Sequence, residues 1–346
     1  MRRVKSILVA VSLATFCICS CEKIHEFPLE GRGIDPTEIG TGIDIKCKVE
    51  VPIYDIITRS VFSDPQTLAS ASEYERRYIV NIYAAEYTDT LVESHTVYRE
   101  VEDVSNLLVE TKLQARKYKL VVWMDYVRKA AGQDLYYQTG EGKTLNAIHQ
   151  PSARSYLACS EFKDAQYFVS DIDLASYSGK WFESVTITAP LSRPVAKITI
   201  LASDFADYAS SIGFMGPLSS LADDIIVDVS YDGYYPTGFN AFTGKLNDSE
   251  PGYGFSSCLT YPYSLDSIDY TRMGFDYVFV NNEKSSVTLT VRIKSRSGQF
   301  INEISTIVVP VERGKETVVI YKFFTKESVP GIGINPGFDG EFNVYV

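Results

Sequence analysis

Lys117-Tyr118-Lys119-Leu120-Val121-Val122-Trp123-Met124-Asp125-Tyr126-Val127 decides the fold class. A strand with one wet face alternates apolar and polar residues. This stretch is instead apolar without a break from Leu120 to Met124, which predicts a central strand covered on both faces. Upstream, Tyr78 to Tyr87 (YIVNIYAAEY) reads as a second long strand, and Glu93 to Tyr98 and Leu107 to Leu113 as two more. Ile43, Ile45, Cys47 and Val49 alternate with Asp44, Lys46, Lys48 and Glu50, the period of a first, half-buried strand. Residues 64–76 (DPQTLASASEYER) have room for one short helix. Downstream, residues 132–151 are loop-like, with Gly132, Gly140 and Gly142, and Glu183 to Thr188 alternates again.

Pro190 and Pro194 then punctuate the chain, and a new series opens with Val195-Ala196-Lys197-Ile198-Thr199-Ile200. The domain boundary is placed there, giving 43–190 and 191–346. In the second part Asp204 to Ala222 is the best helix candidate, interrupted by Gly213, Gly216 and Pro217. Strands are expected at Ile225–Tyr231, Tyr277–Val280, Val287–Lys294, Ile304–Pro310 and Thr317–Phe323. A Gly- and Pro-rich tail ends in the alternating Phe342, Val344 and Val346. Many short strands with sparse helix predict an all-β chain of two β-sandwiches with short helices in the connections, and argue against βαβ units.

Composition agrees. Of 346 residues, 45% are hydrophobic and 22% charged, too apolar for disorder. The 24 tyrosines and 18 phenylalanines favour half-buried pleated surfaces. The net charge is −11, and −14 without residues 1–20, which carry Arg2, Arg3 and Lys5. That field repels phosphate backbones, so nucleic acid is not an expected partner, and it offers no polybasic hold on anionic lipid.

The N-terminus supplies a different means of attachment. Arg2, Arg3 and Lys5 precede the apolar run Ile7 to Ile18 (ILVAVSLATFCI), which has signal-peptide length and is too short to span a bilayer. Cys19-Ser20-Cys21 follows. A small residue immediately before a cysteine at this place resembles the bacterial lipobox, and Ser20 before Cys21 fits it. Residues 1–20 are therefore expected to be a cleaved signal peptide, with Cys21 lipidated and residues 21–42, rich in Gly and Pro, forming a flexible tether. A plain secretory signal with incidental cysteines is one other reading, and an uncleaved anchor, disfavoured by the short apolar run, is the third. Beyond Cys21, the mature chain holds Cys47, Cys159 and Cys258, enough for one disulfide at most, and no CxxC spacing suggests zinc.

The search for chemistry yields little. His25, His95 and His149 make no metal motif, no GxSxG elbow occurs, and Gly31-Arg32-Gly33 and Gly331-Ile332-Gly333 lack a phosphate-loop context. Asp171/Asp173 and Asp223-Asp224 read as solvated acidic surface. No enzyme and no cofactor are expected. The stronger clue is aromatic: Tyr136-Tyr137, Trp181-Phe182, Tyr234-Tyr235 and Tyr261/Tyr263 fall in or near expected loops. Trp181, Tyr234 and Tyr235 are candidates for ligand contact, against the plainer reading that they cap sandwich ends.

Arg193-Pro194-Val195-Ala196-Lys197, Tyr231-x-Gly233-Tyr234-x-Pro236, Gly274-Phe275-Asp276-Tyr277-Val278-Phe279-Val280, Val309-Pro310-Val311-x-Arg313 and Phe338-Asp339-Gly340, together with Leu120 to Tyr126, resemble the fimbrillin-like lipoproteins of Bacteroidetes. The resemblance spans roughly residues 40–346 and rests on strand and turn patterns. It implies two tandem transthyretin-like β-sandwiches on a lipoprotein at the surface of the outer membrane, with fimbrial subunits as partners by strand exchange. Polymerising relatives are cut after a basic residue near the first strand, a place Arg59 fits. Anchor-type relatives keep their lipid uncut. The resemblance also marks Thr90 (DTL) and Ser267 (DSI) as O-glycosylation candidates. The expected role is a non-catalytic fimbrial anchor, accessory or adhesion component; a surface glycan-binding lipoprotein is the alternative.

Overall fold

The computed structural model describes residues 45–52, 71–85, 90–129, 134–140, 143–178, 184–325 and 342–345. Strands are numbered β1 to β19 in chain order. The all-β expectation is met.

β1 (Ile45–Val51) lies in the middle of a three-stranded sheet, antiparallel to β4 (Leu107–Leu113) and parallel to β8 (Ser184–Thr188). Its alternation sends Ile45, Cys47, Val49 and Val51 into the core, each at most 1% exposed. A four-stranded antiparallel sheet faces it, ordered β3 (Leu91–Glu100), β2 (Tyr74–Ala84), β5 (Lys117–Arg128) and β7 (Gln166–Asp173). β5 is central there, and Leu120, Val121, Val122, Trp123 and Met124 are all fully buried. Trp123 packs away from β1's sheet, against Tyr137 and Phe239. Phe239 sits on β11 (Tyr234–Asn240), which pairs with β12 (Lys245–Pro251) and the two-residue β6 (Ile148–His149) as an added layer. This is why the β5 run is apolar on both sides.

The second sandwich packs the sheet β13 (Gly254–Cys258), β10 (Ile225–Tyr231), β16 (Lys284–Ser295), β17 (Phe300–Glu312) against a five-stranded one. The latter is ordered β14 (Thr260–Leu265), β15 (Ile268–Phe279), β9 (Val195–Ala202), β18 (Glu316–Tyr321), β19 (Phe342–Tyr345). β15 serves both cores. Met273 and Val278 join the second, while Phe275, Tyr277 and Phe279 join the first. Asp276 falls among them.

The expected 204–222 helix is two short ones, α1 (Phe205–Ser211) and α2 (Leu218–Asp223). Gly213 stands between them at φ +69°. The 64–76 stretch shows a 3₁₀ turn at Ala71–Glu73 and then β2; residues 64–70 lie outside the described residues. β7 and β11 to β14 went unread, because their solvent faces carry too few apolar residues to set a period: β12 (KLNDSEP) has no buried side chain. Gly238 interrupts β11, where a Cβ would overlap Asn247 and Asp248 of its partner strand.

Candidate functional site

One turn holds the two sandwiches together. The 3₁₀ turn Glu161–Lys163 is capped by Ser160, whose hydroxyl accepts from Phe162 N–H. Glu161, Lys163 and Asp164 are buried although all three are charged. Each is matched by a residue from the next sandwich or its entry segment. Lys163 Nζ lies 2.6 Å from Asp276 Oδ1 on β15. Glu161 Oε1 is 2.7 Å from Lys197 Nζ on β9, and its other oxygen accepts from the Tyr277 hydroxyl. Asp164 takes Arg193 as a fork, Nε and Nη2 at 2.8–2.9 Å. Such pairs hold only because every partner is present, since desolvation would otherwise disfavour each charge.

Tyrosines complete the shell. Asp276 Oδ2 accepts from the hydroxyls of Tyr156 and Tyr231, and the Tyr277 backbone N–H donates to Oδ1 at 2.8 Å. Tyr156, Tyr231, Tyr235 and Tyr253 pack ring on ring around it. Burial pulls the Lys163 ammonium below the usual lysine value, against the pull of Asp276. Burial likewise pushes the Tyr156 and Tyr231 hydroxyls well above theirs, so both stay protonated donors. At Lys197 burial acts downward, but Glu161 and Glu316 outweigh it and raise the ammonium.

A cavity of about 430 Å3 opens beside this clamp, between Phe162, Cys159, Ser257, Cys258, Arg272 and Phe275. Cys47, Cys159 and Cys258 are free thiols. Cys159 is exposed as a residue, yet burial pushes its thiol up to about 11, because Sγ packs over Gly274.

At the far side of the five-stranded sheet, β19 pairs in parallel with β18, from Thr317 opposite Phe342 to Ile320 opposite Tyr345. It is the edge strand. Its backbone groups on the side away from β18 have no strand partner within that sheet, so it offers a ladder that another chain can extend.

The sequence candidates scatter. Cys21, Arg59 and Trp181 lie outside the described residues. Thr90 is half-buried just before β3, and Ser267 is exposed at the tip of the β14–β15 hairpin, at φ +66°. Tyr234 is 76% exposed on β11. Tyr235 corrects the expectation of a ligand-contact ring. It is 1% exposed, its hydroxyl donates to Gln150 Oε1 at 3.2 Å, and no ligand can stack on it. The two residues lie on a strand, and alternation turns one out and the next in. Tyr136 and Tyr137 are buried as well. His95 approaches Glu93 and His149 approaches Asp248; among the described residues no group of three or more His, Cys, Asp or Glu can hold a metal. The clamp residues Glu161, Lys163, Asp164 and Asp276 were not foreseen. The one signal was a carboxylate, Asp276, inside the apolar run GFDYVFV.

The two tyrosines give a direct test. Tyr235→Ala is expected to cost about 3–5 kcal/mol, as aromatic truncations in cores do. Tyr234→Ala is expected to stay within about 0.5 kcal/mol. Urea unfolding of the two variants measures the difference.

The model of the family of unknown function DUF6562 matches residues 36–346. The chain belongs to that family. No curated protein matches this DUF6562 chain. Among solved structures it is similar to the fimbrial anchor protein Mfa2 from Porphyromonas gingivalis, at 13% identity over 75% of this chain and 82% of that one, TM-score 0.38. It is similar to a candidate polysaccharide binding protein of Bacteroides thetaiotaomicron at 13% identity, over 75% and 80%, TM-score 0.43. A candidate cell adhesion protein of Bacteroides eggerthii matches at 11% identity, over 84% and 93%, TM-score 0.42. Fimbrial and adhesion proteins are thus among the structures that this DUF6562 chain resembles.

Proposed function

We propose that the protein is a non-catalytic adhesion component of the cell surface, an anchor or accessory subunit of a fimbrial assembly, held in the outer membrane by a lipid on Cys21. The observation that carries the reading is the edge strand. β19 follows β18 after the twenty residues 322–341 yet pairs beside it. Returning from Tyr321 to the level of Thr317 needs about 13 Å. Twenty extended residues reach about 65–70 Å. A strand on so long a lead can add to a neighbouring subunit's sheet instead of its own, with main-chain hydrogen bonds supplying affinity. The lipobox-like Ser20-Cys21 and the absence of a catalytic set in the sequence support the same reading. So do the names of the fimbrial and adhesion proteins it resembles.

An anchor keeps its first strand, so Arg59 stays uncut in this role. The alternative, glycan binding, retains Tyr234 as its exposed aromatic among the candidates described.

Intact-mass spectrometry of the mature protein from its native membrane tests the reading. The expected mass is that of an acylated chain starting at Cys21. A chain starting after Arg59 would make it a processed, polymerising subunit. An unacylated chain starting near Cys21 would remove the anchor.

A further inference from the structure

We propose that Lys163 and Asp276 condense into an amide that joins the first sandwich to the second covalently. Three observations meet at this pair, independently of the fimbrial reading. First, the groups are in reach: Nζ stands 2.6 Å from Oδ1, and the residues are 1% and 2% exposed, 113 positions apart in the chain. Second, a hydroxyl bridges them and already donates to the oxygen that takes up charge. Lys163 Nζ donates to the Tyr156 hydroxyl at 2.6 Å, and that hydroxyl donates in turn to Asp276 Oδ2. Third, the site is dry and aromatic. The Nζ lies 3.9 Å from the Tyr156 ring centroid, and that ring packs in turn against Tyr235 and Tyr253.

The chemistry follows from desolvation. In water the pair is ionic. Buried, the Lys163 ammonium is disfavoured against the free amine, because its charge has lost its hydration. One proton crosses from Nζ to Oδ1. The amine lone pair then attacks Cγ, forming the N–C bond, while the carbonyl π pair moves onto Oδ2. There the Tyr231 and Tyr156 hydroxyls stabilise the oxyanion, as donors fixed before the reaction do. The second proton passes from nitrogen directly to Oδ1, the Oδ2 pair re-forms the carbonyl as the C–Oδ1 bond breaks, and that oxygen departs as water. The ammonium has lost two protons and the carboxylate one oxygen. Nothing is oxidised or reduced. Held geometry replaces the encounter of two reactants, the largest obstacle to uncatalysed amide formation.

Tryptic mapping of the full chain tests the proposal. In the linked protein, trypsin cannot cut after Lys163. Residues 155–180 and 273–284 then appear as one branched species, lighter than the two separate peptides by one water. Lys163→Arg keeps the charge but is expected to give 155–163, 164–180 and 273–284, all unlinked, and Tyr156→Phe to lower the linked fraction several-fold. Wild-type protein that yields peptide 155–163 and an unmodified 273–284 in full amount has an ion pair only, and overturns the proposal. That readout comes from the wild type, so it does not depend on any variant folding.

Discussion

A chain that begins at Ser60 is expected to lose its first sandwich. β1 is the middle strand of its sheet, and it fills the space between β4 and β8 with Ile45, Cys47, Val49 and Val51, all fully buried. Burying three such aliphatic side chains contributes about 5–9 kcal/mol. The whole stability of a domain is about 5–15 kcal/mol. Without β1, moreover, β4 and β8 each expose a row of backbone groups paired in the intact sheet, seven residue pairs on one side and five on the other. Trp123 reports on this sandwich, since it is 0% exposed on β5. Urea unfolding followed by its fluorescence should show the first transition lost or shifted to near zero denaturant. A peptide of residues 45–51 added in trans should restore it. A truncated chain that unfolds at the original midpoint would show that β1 is dispensable. The same experiment reads on Arg59: a cut there leaves β1 attached by contacts alone, so the fate of the strand decides between an anchor and a subunit that accepts a partner's strand.

Much of the fold is legible because burial on two faces leaves a mark that alternation does not. Leu120 to Met124 and Tyr277 to Phe279 are each apolar without a break, and each turns out to be in a strand between two packed layers. β1, β4 and β10 are legible for the opposite reason, a strict period of two. Between residues 234 and 265 neither signal exists. β12 and β13 are edge strands of their sheets with polar faces, and their position is set by pairing with β11 and β10. Pairing energy resides in backbone groups that every residue has, so the sequence of such a strand is weakly constrained.

The clamp is illegible for a related reason. Nothing around Glu161-Phe162-Lys163-Asp164 distinguishes it from a solvated charged turn, and the partners that neutralise it are Arg193, Lys197 and Asp276. Only Asp276 betrays itself, as a charge where the flanking residues demand burial. The Tyr235 candidate fails on a similar ground. Tyr234-Tyr235 reads as an exposed loop pair until β11 is known to be a strand, and then only one ring of the two can face water.

Arg193→Ala is expected to destabilise the protein by about 3–5 kcal/mol, the cost of leaving a buried charge without its partner. Asp164 is 0% exposed, and Arg193 meets both its oxygens through Nε and Nη2. Removing the guanidinium leaves the carboxylate desolvated and without its charge partner. Arg193→Lys should recover less than half of the loss, because an ammonium cannot match the planar fork. The effect should also have a distinctive form. Arg193 enters the second sandwich just before β9, and Asp164 belongs to the turn before β7, so the pair spans the junction. Breaking it removes one of the three ties there, and the two cores should then unfold at separate urea concentrations, read by Trp123 fluorescence for the first and by far-UV dichroism for the whole. A wild-type-like single transition in Arg193→Ala would mean that the shared strand β15, with Phe275 and Phe279 in one core and Val278 in the other, couples the sandwiches without help from the turn.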